Sequence, residues 1–261
     1  CLVCLVLSSS SAAGPYAEKV AAIERCDNFA EIKAAGKAAL PDLLAAAEAS
    51  PRKDLIALCL GFCGDPQALP TLKKLADHPD PEVRASVAWA LGRIAAPDAA
   101  EVISRIIIAA HGPGVELVRQ AAVASLAAVD SPEALHACIR ALDDPDPGVR
   151  RAAIDSIGRS RDPANWRHLI TFLEYELVDQ PAEGKDAAGR TSPSVRWREP
   201  DPGIRHAAIS AIDALRSIDA VPALVCAMER EDSYNRLACI RAILNVGPEA
   251  SGVCLGRIVP I

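Results

Sequence analysis

Cysteine and histidine are the residues in this sequence best equipped for chemistry, with nine of the first and five of the second. They show no zinc-ligand spacing, and the sequence contains neither a Gly-rich phosphate loop nor a nucleophile elbow. No residue is therefore assigned a catalytic, cofactor-binding or metal-binding role, and no cofactor is expected. Cys59 and Cys63 stand four apart on one helical pattern, a separation that does not suit a bond between them. Cys138, Cys226, Cys239 and Cys254 occupy apolar helical positions, where a thiol packs as a small hydrophobe. In an exported protein a disulfide between neighbouring elements, Cys26 with Cys59 or Cys63, stays open.

Other side chains suit recognition. Trp89 and Arg93 lie one helical turn apart, Arg151, Asp155 and Arg159 share another helical face, and Trp197 is flanked by Arg196 and Arg198. Aromatic and guanidinium groups together are the usual centres of protein interfaces. Nucleic acid is disfavoured as a partner, because 28 Lys and Arg against 34 Asp and Glu leave a net charge of −6 and little to neutralise phosphates. With 51% hydrophobic but only 3% aromatic residues, the chain buries a core of Ala, Leu, Ile and Val, which suits close-packed helices.

The elements that position these residues repeat. Lys53, Arg84, Arg119, Arg150, Arg205 and Arg236 follow one another at intervals of 31, 35, 31, 55 and 31 residues, a period that marks a solenoid. After each anchor, apolar side chains recur on one helical stripe, as in Val87, Ala88 and Leu91 or Ala208, Ile209 and Ile212. A second pattern precedes it, as in Leu135, Cys138, Ile139 and Leu142. Asp80-Pro81, Asp146-Pro147 and Asp201-Pro202 place a carboxylate at the N-cap and a proline at the first helical position. Asp65-Pro66, Ser131-Pro132 and Asp162-Pro163 do the same for the partner helices. No segment alternates well enough to predict a strand, so the whole chain reads as helical.

Asp-Pro-x-Val-Arg followed by Ala-Leu-Gly, present as Asp80 to Arg84 and then Ala90-Leu91-Gly92, resembles the HEAT repeat, in particular the short HEAT-like type first named for phycobilin lyases. The resemblance implies an all-α fold, an α-solenoid of about six helix pairs spanning 39–62, 67–94, 98–129, 131–159, 163–216 and 219–246. The Val-Arg helix is second in each pair and lines the concave surface. It also implies what an enzyme of this kind would carry. Deoxyhypusine hydroxylase binds iron through His-Glu motifs, and none of His78, His111, His136, His168 or His206 is followed by Glu. HEAT-like DNA glycosylases use a basic groove, which the charge of −6 opposes. No residue matches a distinctive lyase motif.

A feature common to most units serves stacking, so the repeated Arg reads as a structural ladder of ion pairs or hydrogen bonds, with Asp80, Asp146, Asp201 and Asp232 each four residues before an Arg. A partner site is sought where units differ. One difference is the insertion 174–198, a long loop expected to project from one edge, whose Trp197 either tucks onto the solenoid or meets a partner. The other is the concave patch of Trp89, Arg93, Arg151, Asp155 and Arg159, unless Trp89 packs between units. The expected function is a non-catalytic scaffold for a protein or peptide. The alternative is a lyase-like enzyme or enzyme subunit holding a small molecule in the groove.

Residues 1–13, apolar from Cys1 to Leu7 and then small, resemble the end of a signal peptide cleaved after Ala13, which makes the protein periplasmic or extracellular; without that role it is cytoplasmic. Residues 14–38 are expected to cap the solenoid of 39–261, whose apolar last residues read as a truncated repeat, and no run reaches transmembrane length.

Overall fold

Four of the longer helices begin where a side-chain oxygen takes a free N–H group of the first turn. Asp80 accepts from the Glu82 amide at 2.9 Å, Asp146 from Val149 at 3.0 Å, Asp201 from Gly203 at 2.7 Å, and Asp232 from both Tyr234 and Asn235 at 2.9 Å. Pro81, Pro147 and Pro202 follow at the position whose N–H has no partner to lose. Three helices end on left-handed residues: Gly64 without steric cost, Ala95 and Arg216 against it.

The computed structural model describes residues 14–22, 29–96, 98–110, 114–160, 162–181 and 193–250. The segment 1–13, Cys26, Cys254, the middle of the insertion and residues 251–261 lie outside them. The chain divides into two compact units, Cys1–Ala137 and Cys138–Ile261. The first contains α1 (Ala17–Ala22), α2 (Phe29–Ala35), α3 (Leu40–Ala49), α4 (Lys53–Cys63), α5 (Leu69–Leu75), α6 (Pro81–Ile94), α7 (Ala99–Ala109) and α8 (Glu116–Leu126). The boundary falls inside α9 (Pro132–Ala141). The second unit continues with α10 (Pro147–Gly158), the short α11 (Trp166–Leu169), β1 (Tyr175–Pro181), β2 (Pro193–Trp197), α12 (Pro202–Leu215), α13 (Val221–Met228) and α14 (Ser233–Val246). The fold is an all-α solenoid type built from helix pairs.

In the first unit α3 pairs with α4, α5 with α6 and α7 with α8, while the second helices α4, α6 and α8 stack in order. In the second unit α11 and α13 lean on α12 and α14, and α10, α12 and α14 stack. Glycine sets the stacking distance. Gly61, Gly92 and Gly158 hold one position, eight residues after Lys53, Arg84 and Arg150, and a Cβ there would lie 2.7 Å from Ala90, Ser125 or Ala211 of the next second helix. The stripes between helices are dry: Ile56, Leu60, Val87, Leu91, Val123, Leu126, Ile154, Ile157, Ile209 and Ile212 are all buried.

Two sequence expectations need correction. The insertion is not a structureless loop in an entirely helical chain: β1 and β2 pair antiparallel, Tyr175 opposite Trp197, Glu176 opposite Arg196, Leu177 opposite Val195 and Val178 opposite Ser194. Each strand alternates over only a few residues, so pairing becomes apparent only when the partner is in view. Nor do the aspartates before each Arg serve it as ion-pair partners, since their carboxylates are turned to the helix N-termini.

Cys59, Cys63, Cys138 and Cys239 are buried thiols. Burial pushes Cys59, Cys138 and Cys239 up to about 12, chiefly because a thiolate is poorly solvated there. Replacing the fully buried Leu91 by Ala should cost about 2 to 5 kcal/mol in denaturant melts, and Asp146→Ala about 1 kcal/mol; equal, negligible losses would contradict the helix register. The thiols should resist alkylation in the folded protein, as read by peptide mass mapping. Their folded values are raised, so the stability they contribute is complete below the unfolded thiol value and is lost as pH rises towards about 12.

Candidate functional site

A turn between two helices leaves carbonyl groups that no helix bond satisfies. The repeated cation takes them. Arg84 Nη1 donates to the carbonyls of His78 and Pro79 at 2.8 Å, Arg150 Nη1 to Asp144 and Pro145 at 3.1 and 3.0 Å, and Arg205 Nη1 to Glu199 and Pro200 at 3.0 Å. Arg236 reaches Met228 and Glu231, Arg119 reaches Ala110, and Lys53 Nζ reaches Ala47, Glu48 and Ser50. The recurrent Arg is thus committed to the scaffold.

In the second unit these cations also join successive turns. Arg150 holds the Glu199 carboxylate through Nε and Nη2, at 3.0 and 2.9 Å. Arg205 forms a two-pronged pair with Glu231, at 2.7 and 3.1 Å, and all of Arg205, Glu199 and Glu231 are buried. Buried Asn235 donates to Glu231 Oε2 and to the Pro202 carbonyl, and its amide oxygen meets His206 Nδ1 at 3.1 Å. Each charge has hydrogen-bonding partners, the condition under which burial of an ion pair is tolerated.

The hairpin is seated on this network. The guanidinium of Arg205 lies 4.5 Å from the centre of the Trp197 ring, and Tyr175 meets Trp197 edge-on at 5.3 Å. Trp197 is half-buried, so it tucks against its own unit yet keeps part of its ring outward. It lines a cleft of about 620 Å³ with Glu174, Tyr175, Glu176, Arg196 and Arg198. A second cleft, about 390 Å³, lies between Leu142, Phe172, Arg150 and Glu199 and shares Arg198 with the first. Arg198 pairs with the exposed Glu174, at 3.2 Å.

The first unit has its own aromatic cluster. Trp89 on α6 packs against Phe62 on α4 with ring centres 4.8 Å apart, which makes its ring half-buried and partly structural. The Arg93 guanidinium lies 5.8 Å from the Trp89 centroid, and Lys33 Nζ lies 5.0 Å from that of Phe62. Arg93 and Lys33 are exposed. Trp89 and Arg93 therefore come together as their spacing implied. Arg151 and Asp155 on α10, and Arg159 directly after it, are exposed in the other unit.

Sequence reasoning missed Phe62 and Lys33 as members of the Trp89 cluster, and Glu199 and Glu231 as partners of the arginines. A signal for Glu199 was present: Asp144 and Glu199 both stand two residues before an N-cap aspartate, and each accepts from that aspartate's amide, at 2.9 and 3.0 Å. Among the described residues no group of three or more His, Cys, Asp and Glu could hold a metal ion, and no helix is long and apolar enough to cross a membrane.

The family model described as HEAT repeats matches residues 38–116 and 103–180, together more than half of the chain. No curated protein sequence matches. Among solved structures, the complex of CpcE and CpcF of phycocyanin lyase from Nostoc sp. PCC7120 superposes with a TM-score of 0.48 at 19% identity, over 94% of this chain and 95% of that one. An engineered protein gives 0.48 at 17%, over 83% and 96%, and human deoxyhypusine hydroxylase in complex with glycerol 0.36 at 16%, over 89% and 99%.

Removing one partner of a buried pair leaves the other charge stranded, whereas an exposed pair contributes little. Glu231→Ala should therefore cost about 3 to 5 kcal/mol, and Glu174→Ala no more than about 1 kcal/mol. Urea melts giving equal effects would refute the assignment of the buried pair to the core of the second unit.

Proposed function

The chain belongs to the HEAT-repeat family, and from that premise we propose that it is a non-catalytic scaffold binding a protein or peptide partner. The observation that carries this reading is the cluster of Phe62 and Trp89 with Arg93 and Lys33. The aromatic pair is rigid because each ring braces the other, so little freedom is lost when a partner covers it. The two cations stand exposed beside the rings and can direct hydrogen bonds to a carboxylate or carbonyl. A partner segment presenting an apolar side chain next to an acidic one matches that chemistry. In this reading Arg151, Asp155 and Arg159 offer polar contacts of their own on the second unit, and residues 1–13 carry the protein out of the cytoplasm.

A second reading has a specific observation in its favour. The hairpin clefts, about 390 and 620 Å³, have the size of small-molecule sites. A lyase-like protein would hold its ligand there, with Arg198 and Trp197 in contact.

Affinity capture with crosslinking from the native source separates the two, since a scaffold returns a stoichiometric protein and a lyase a chromophore. Against the captured partner, Trp89→Ala or Arg93→Ala should weaken binding by at least about 1 to 2 kcal/mol with an unchanged circular dichroism spectrum. If both variants bind normally and Trp197→Ala abolishes binding, the site is the hairpin cleft instead.

A further inference from the structure

The aspartate in the first turn of α3 does not serve its own helix. α3 starts without a side-chain cap, and Asp42, only 8% exposed, turns its carboxylate to a distant stretch of chain. Oδ1 accepts from the backbone N–H of Gly14 and Oδ2 from that of Tyr16, both at 2.9 Å. Among the described residues no cationic side chain pairs with Asp42, and Lys19 on α1 is bound instead to Glu31 at 2.7 Å. A buried charge is costly without a partner of opposite sign.

Two features single out the nitrogen of Gly14. The approach is so close that a Cβ on residue 14 would collide with both carboxylate oxygens, so the site accepts glycine and expels a larger residue. The bond before Gly14 is also the one that the sequence marks for hydrolysis: Ser11 and Ala13 place small residues third and first before it, after the apolar run from Cys1 to Leu7. These observations are independent, one drawn from the composition of residues 1–13 and the other from the geometry at α3. They meet at one atom.

We propose that Asp42 is a docking site for the α-amino group of a chain cut between Ala13 and Gly14, and that processing closes a buried ion pair there. The proposal rests on the reading of residues 1–13 as an export signal. The reaction takes one water and a protease that removes such signals. The C–N bond between Ala13 and Gly14 breaks, the water oxygen bonds to the Ala13 carbonyl carbon to give a carboxylate, and both water protons end on the Gly14 nitrogen as an ammonium. That nitrogen already lies 2.9 Å from Oδ1, so a neutral donor becomes a charged one with no movement of α3. Opposite charges at this separation attract strongly where water is excluded. The new end of the chain is thereby tied to α3, where a terminus without such a partner frays.

The protein isolated from its native source tests this. Intact mass and N-terminal sequencing should give Gly14 as the first residue. At neutral pH its amine should react with an acylating reagent at least about 10-fold more slowly than the amine of Asp42→Asn, of Gly14→Ala, or of the unaltered chain in urea, because a paired ammonium keeps its proton. Peptide mass mapping reads the rate, and the urea comparison decides the matter even where a variant folds poorly. An exported chain that begins at another residue would overturn the docking site and leave the export reading standing, whereas a chain that retains residues 1–13 would overturn both. A chain that begins at Gly14 with an amine as reactive as in Asp42→Asn and in urea would overturn the ion pair while the export reading stands.

Discussion

Carbonyl groups at the turn inside each helix pair are the constraint on which the rest of this structure depends. A chain that reverses direction every few turns of helix leaves them unpaired repeatedly, and each needs a donor. The solution recurs: a long cationic side chain near the start of the second helix returns across the turn and donates to carbonyls five and six residues earlier, as Arg84, Arg150 and Arg205 all do. Arginine suits the task because its planar group carries several donors in a fixed arrangement. One nitrogen serves the turn while the others remain available to a carboxylate.

That spare capacity shapes the second unit. Arg150 and Arg205 each close their own turn and grip the acid of the next, Glu199 and Glu231. Glu199 also supplies one of the carbonyls that Arg205 caps, so consecutive turns share residues and no one of them can shift alone. The Trp197 ring rests on the Arg205 guanidinium, which gives the hairpin a fixed seat at its base. The insertion thereby becomes an extension of the stack, and its clefts acquire one rigid wall.

The pairing of helices was legible in the sequence because each signal has a local cause. Asp-Pro at a helix start, the apolar stripe and the spacing of the cations act within one or two turns of helix. Trp89 and Arg93 were legible as a pair for the same reason. Partners distant in sequence were not: the Arg150 to Glu199 bond spans 49 residues, and the contact of Phe62 with Trp89 depends on how closely α4 and α6 stack. The hairpin stayed hidden because neither strand alternates long enough alone, and its register is a relation between both. The aspartates before each Arg misled because charge and proximity suggested a pair, whereas unsatisfied amides at the helix start compete for the same carboxylate.

The central claim is that the recurrent cation holds each unit by satisfying its turn carbonyls. Arg84→Met retains most of the apolar stem and removes the donors, and native-state hydrogen exchange reads the consequence amide by amide. Loss of protection centred on the turn from Ala76 to Arg84 and the first turn of α6 is the expected result. Protection unchanged there, or lost only at distant helices, would contradict it.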